Sequence, residues 1–118
     1  MSTLPVLSVE ESLERMAGDK GLLSKLFHLF MADAPKKIEQ IGSSLQQDDC
    51  YQVERTAHSL KGASATVGAS RLCQTAAQVE LAAKDKDLQA LTPLVRNLAL
   101  TCDQTLEAMR SYCDRIQD

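Results

Sequence analysis

The sequence predicts an all-α protein, a mostly antiparallel four-helix bundle with a short extra helix at its N-terminus. Three observations lead there. Apolar residues recur at helical spacing, as in Leu22, Leu23, Leu26, Phe27, Leu29 and Phe30. Nothing reads as a strand, because no apolar/polar alternation is sustained and no Asn-Gly hairpin occurs. Aromatic residues are only 3% and tryptophan is absent, so the core must be built from Leu, Val, Ile, Ala and Met, which suits packed helices better than sheets.

The elements follow in chain order. Residues 1–7, with Pro5, read as a flexible leader lying on the surface. Ser8 with Glu11 three residues later is a capping-box pattern. It opens the short helix "VEESLERMAG", which stops near Gly18 and is expected to serve as a lid or flap. A longer apolar stripe runs from Asp19 to Gln47 and continues through Ile38, Ile41 and Leu45. Pro35 interrupts it, since proline removes a backbone donor and clashes with the preceding turn. Two helices, or one kinked helix, are predicted, with the break near Ala34.

Asp48 and Asp49 suit the start of the next helix, where side-chain oxygens accept free N–H groups and negative charge meets the positive end of the helix dipole. That helix is predicted over Cys50–Thr66 and ended by Gly68. Ser70 is the expected cap of a helix over 71–84, with Leu72, Ala76 and Val79 as its apolar line. A charged "KDKD" turn separates it from a last helix, Leu88–Ile116. Pro93 in its first turns is expected to bend or delay its start, with Thr92 as a second possible cap. Amphipathic helices joined by short loops give the antiparallel bundle.

The 118 residues suggest a single domain, long enough to bury roughly two-thirds of the unfolded surface. A net charge of −3 does not point to nucleic acid. No apolar run approaches the roughly 18 residues of a membrane span, and the N-terminus lacks the basic-then-apolar order of a signal peptide. The cytoplasm is the expected location. The cysteines at 50, 73, 102 and 113 form no C-x-x-C pair and no zinc-ligand spacing, so reduced, partly buried thiols are expected.

The informative stretch is "AHSLKGAS", Ala57–Ser64. At 100° per residue, Val53, Ala57, Leu60, Ser64 and Val67 share one arc of the helix, which marks its core face. His58 lies about 160° from Leu60 and therefore points away from the core. A lone histidine there can be an ordinary surface residue. Two features speak for more. Gly62 and Ala65 follow on the same face and lack bulk, although glycine inside a helix costs about 1 kcal/mol relative to alanine. Lys61 lies three residues on, within side-chain reach. An exposed imidazole, a nearby cation and a bare helix face suit phosphate chemistry. His28, in "KLFHLFM", has no motif around it and reads as structural or surface.

From Ala57 to Glu80 the sequence resembles the signature of the histidine-containing phosphotransfer (HPt) domain family. His58, Lys61, Gly62, Gly68, Leu72 and Glu80 stand at the positions of the family pattern, six matches across 23 residues. "LFHLFMADAPKKIEQI" resembles the phenylalanine-then-proline segment that precedes it. The resemblance covers about Val9 to Ile116 and implies a stand-alone bacterial HPt protein with no kinase or receiver domain. Ala76, where relatives often carry cysteine, and Val79, where leucine is usual, are mild departures.

The resemblance implies that His58 takes a phosphoryl group from an aspartyl phosphate on a receiver domain of a hybrid sensor histidine kinase. His58 then passes it to an aspartate on the receiver of a response regulator. Glu80 is expected to accept the Nδ1–H bond, fixing the tautomer and freeing Nε2 for attack; its bland alternative is a solvated carboxylate. Lys61 is expected near the phosphoryl oxygens, where it stabilises their charge. Gly62 leaves clearance for the partner, and Arg55, Ser59, Ala65 and Lys84 are expected to help form the docking face. Glu54, Arg55, Lys61 and Arg71 give this region a net +2, which would favour acidic receivers. The chain shows no oxygen-ligand cluster for Mg²⁺, so the receiver is expected to bring it and no cofactor or metal is expected here. A monomer is expected.

No ATP-binding motif occurs, so a carrier rather than a kinase is expected. Two alternatives remain at this stage. A receiver-binding adaptor should lack the histidine. A metal-holding bundle should carry paired Glu-x-x-His elements, whereas Glu54 and His58 are four apart and single.

Overall fold

The computed structural model describes residues 4–116. Five helices appear in the order α1 (Val9–Arg15), α2 (Lys20–Gln46), α3 (Cys50–Thr66), α4 (Ser70–Lys84) and α5 (Leu88–Ile116). There is no strand among the described residues. The four long helices form a closed ring in which α2 packs on α3, α3 on α4, α4 on α5 and α5 back on α2. Short loops reverse the chain each time, so neighbours run antiparallel. The start of α2 accordingly meets the end of α5, where Phe27 stands edge-on to Tyr112 with ring centroids 5.5 Å apart.

The apolar stripes explain this packing. Leu23, Phe27, Phe30 and Ile41 of α2 are buried with Val53, Ala57 and Leu60 of α3, Leu72, Ala76 and Val79 of α4, and Leu91, Leu98 and Met109 of α5. Fully burying one such large side chain contributes about 1.5–3 kcal/mol. On α3 the buried residues are Val53, Ala57, Leu60 and Ser64, followed by Val67, the arc the spacing defined.

The loops between the long helices are three residues each and share one geometry. A residue in the left-handed region follows each helix cap: Asp48 (φ 55°), Gly68 (φ 77°) and Lys86 (φ 57°). The backbone N–H groups of Asp49, Ala69 and Asp87 then donate to the carbonyls of Ser44, Ser64 and Ala82. This is the Schellman arrangement, which satisfies carbonyls a helix end would leave free. Asp49 accepts from the Gln52 N–H at 3.1 Å and so caps α3. Asp87 accepts from Ala90 in the same way at the start of α5.

Several details differ from the sequence-based expectation. Helix α2 runs as one element through Pro35, and α5 starts at Leu88 despite Pro93. Both prolines are exposed, so each lost backbone bond lies on a solvent-facing side rather than in the core. Ser70 is the first residue of α4 rather than its cap, and Ala69 at the cap position supplies no side-chain bond. Ser8 occupies the cap position of α1 without a side-chain cap. Its backbone N–H donates instead to the Gly68 carbonyl at 2.9 Å.

Helix α1 covers one end of the bundle. Ser12 is fully buried and its hydroxyl lies 3.3 Å from the Val67 carbonyl, which seats α1 on the α3–α4 turn at one end of the bundle. The described part of the leader is tied to the same end. The Arg71 N–H donates to the Pro5 carbonyl at 3.1 Å, and Arg71 Nε donates to that of Leu4 at 3.1 Å. Residues 1–3 of that leader lie outside the described residues.

Candidate functional site

The core arc of α3 forces the opposite side of the helix into solvent, and His58 sits there with its side chain 68% exposed. Across the α3–α4 contact stands Glu80, whose side chain is 21% exposed. Its carboxylate binds two residues with separate oxygens. Oε2 lies 2.8 Å from His58 Nδ1, and Oε1 lies 2.6 Å from Lys61 Nζ. An ionised carboxylate can only accept, so Nδ1 carries a proton, and in the neutral ring this leaves the lone pair on Nε2. Nε2 has no hydrogen-bond partner among the described residues.

The Lys61 ammonium holds the Glu80 carboxyl below the usual carboxylate range, and the His58 bond adds to this against an opposing effect of burial. In this state, therefore, Lys61 is not free beside the imidazole. The sequence placed it near His58 by spacing, and the structure pairs it with the carboxylate that also touches His58.

The remaining candidate positions divide. Arg55 and Ser59 line a shallow groove with His58 and Glu80, together with Tyr51 and Glu54. Gly62 and Ala65 are exposed further along the helix. A Cβ on Gly62 would meet nothing within 4 Å, so no contact inside the chain requires glycine there. Lys84 is exposed, one turn beyond Glu80 and at the end of α4. Arg71 does not join this face, because its guanidinium is engaged with Leu4 at the α1 end. With Arg71 elsewhere and Lys61 balanced by Glu80, the region is less basic than its sequence charge indicates.

Tyr51 was not among the candidates. It is 61% exposed, accepts from Arg55 at 3.0 Å and lies beneath that guanidinium, 5.6 Å from ring centroid to Cζ. The signal was present, since residue 51 lies two turns before residue 58 and thus on the same helix face. A second, apolar groove runs between α2 and α3, with the exposed Leu29 beside Leu26, Ala63 and Thr66. Which α2 side chains would border the site depends on helix rotation and was not legible in the sequence.

His28 is exposed, with Nδ1 2.8 Å from the Ser24 carbonyl in its own helix. All four cysteines are free thiols; Cys50 and Cys73 are half-buried, Cys102 and Cys113 buried. Among the described residues no group of three or more His, Cys, Asp or Glu side chains is placed to hold a metal ion. No helix among them is long and apolar enough to cross a membrane.

The fold resembles that of a solved structure. The crystal structure of histidine-containing phosphotransfer protein B (HptB) from Pseudomonas aeruginosa PAO1 superposes with a TM-score of 0.87 at 22% identity, covering 97% of this chain and 98% of that one. At that identity the match establishes the shared fold. No curated protein sequence matches the chain. The family model described as Hpt domain matches residues 25–117, a span that holds His58, Lys61, Gly62 and Glu80. The chain therefore belongs to the Hpt domain family, whose members are histidine phosphotransfer carriers rather than kinases in two-component signalling.

Proposed function

We propose that this protein is a phosphorelay intermediate in which Nε2 of His58 is the phosphoryl acceptor. The observation that carries this reading is an exposed imidazole whose Nδ1 is engaged by Glu80 while Nε2 has no partner among the described residues. A neutral ring held in that tautomer presents its lone pair outward, as a nucleophile must.

The donor is the aspartyl phosphate of a hybrid sensor kinase receiver domain, and the recipient is the aspartate of a response-regulator receiver. The receiver supplies the Mg²⁺. Phosphoryl transfer relies on alignment and on charge stabilisation, with little covalent machinery from the protein. Lys61 contributes by donating to the incoming phosphoryl oxygens while it stays paired with Glu80, since an ammonium has three N–H donors. Gly62 and Ala65 leave the helix face bare for close approach. Arg55, Ser59, Tyr51 and Lys84 border the approach, and the chain acts as a monomer in the cytoplasm.

The test is His58→Gln, presented with a receiver domain carrying radiolabelled phosphate. The variant is expected to keep the melting temperature of the wild type, because residue 58 lies outside the core, and to take up no label. Label on the wild type is expected to be lost in acid and kept in base, as for a phosphoramidate. Transfer to the variant, or a base-labile acyl phosphate, rules the assignment out.

A further inference from the structure

Glu80 is a carboxylate where orientation alone would not require one. A neutral amide oxygen could accept the same Nδ1–H bond and hold the same tautomer. The charge matters to the phosphorylated ring. Once Nε2 carries a phosphoryl group, its lone pair is committed to the N–P bond, and a ring that keeps Nδ1–H is cationic. In onward transfer the N–P bond breaks and its electron pair returns to Nε2. The phosphoryl group forms a P–O bond to a carboxylate oxygen of the recipient aspartate. If Nδ1 has kept its proton, the departing group is neutral imidazole. If that proton has been lost, the departing group is imidazolate, a much stronger base and a poorer leaving group.

We propose, resting on the reading of His58 as acceptor, that the Glu80 carboxylate is a fixed negative charge that keeps the proton on Nδ1 of phosphorylated His58 and so maintains the ring as a good leaving group for onward transfer. Glu80 acts through His58 and is a positioning residue whose charge, not only its geometry, sets donor strength. The geometry supports this. Oε2 is 2.8 Å from Nδ1, while Oε1 is anchored 2.6 Å from Lys61 Nζ, so the carboxylate stays aimed at the ring. The same lysine keeps the carboxyl below its usual range, so the charge persists into acid.

Among the described residues, Glu80 is the charged group paired with the His58 ring. On α3, Glu54 borders the groove and Arg55 is held at Tyr51. On α4, Lys84 makes no ion pair among the described residues. The described ion pairs of α2 and α5, Asp33 with Lys37 and Glu107 with Arg110, close within their own helices.

The experiment compares wild type with Glu80→Gln, each phosphorylated by a receiver domain. Onward transfer to a second receiver is followed across a pH series, with ³¹P and ¹⁵N spectra reporting loss of the Nδ1 proton. The variant is expected to accept phosphate, and each pH profile is scaled to its own value at the acid end. Its alkaline fall-off should begin roughly one pH unit lower, the size expected for removing one nearby opposite charge, so transfer there is about tenfold slower. Superimposable profiles, or a loss equal at every pH, would mean that Glu80 only orients the ring, and would overturn the proposal. Absence of label on the wild type would overturn the acceptor reading and this proposal with it. Label on the wild type with unshifted profiles removes this proposal alone.

Discussion

Lys61 and Glu80, on adjacent antiparallel helices, meet with Nζ 2.6 Å from Oε1, and the same carboxylate reaches His58 through its other oxygen. This contact ties the cation of the site to the group that orients the imidazole. Replacing Lys61 with alanine removes the cation and loosens the carboxylate together. Phosphoryl uptake by Lys61→Ala is expected to slow by about tenfold, below the range for a fully enclosed charge-stabilising donor because the site is open to solvent. Melting temperature should change little, since partly exposed pairs contribute about 1 kcal/mol or less. Uptake at the wild-type rate would remove Lys61 from the chemistry.

The lowered Glu80 carboxyl gives stability a defined pH dependence. Its folded-state value lies below the unfolded one, chiefly through Lys61. The contribution is therefore fully present above the ordinary carboxylate range and is lost as pH falls through the lowered value. Urea unfolding of wild type and Glu80→Gln should show the wild type more stable at neutral pH, with the two midpoints converging in acid. A gap that persists unchanged in acid would show that the pair does not provide the difference.

Two glycines should respond in opposite directions to alanine. Gly68 has φ 77°, and a Cβ there would fall 2.2 Å from Ser12 Oγ and 3.0 Å from the Ser8 carbonyl oxygen. Gly68→Ala is expected to destabilise by about 1–3 kcal/mol, through left-handed strain and displacement of α1. Gly62 lies within α3 and has open space around it, so Gly62→Ala should stabilise by up to about 1 kcal/mol. A bulky Gly62→Gln should keep the fold and slow transfer from a receiver. Denaturant midpoints check the first two effects and label transfer checks the third.

Thiol reactivity should follow burial. Cys102 is 2% exposed, and burial, with a smaller effect of Asp103, pushes its thiol up to about 11. Alkylation of the folded protein at neutral pH should modify Cys50 and Cys73 first and leave Cys102 and Cys113 untouched until urea is added. Mass spectrometry of the digested product reads this directly. Early modification of Cys102 would show that α5 opens locally in the native state.

What the sequence determined is local and periodic. The bounds of α3 and the outward direction of His58 follow from spacing within one helix, because a helix fixes the angle between its own residues, whereas of Asp48 and Asp49 it is the structure that makes Asp49 the cap. The short turn at Gly68 follows from a residue that tolerates positive φ. The tertiary structure decided what depends on how separate helices rotate and slide against each other. It set the reach of Glu80 to His58, the capture of Lys61 by that carboxylate and the diversion of Arg71 to Leu4. It also decided that α2 stays continuous through Pro35 and that α1 seats on the α3–α4 turn. Those outcomes are set jointly by the core side chains of several helices, so no single segment encodes them.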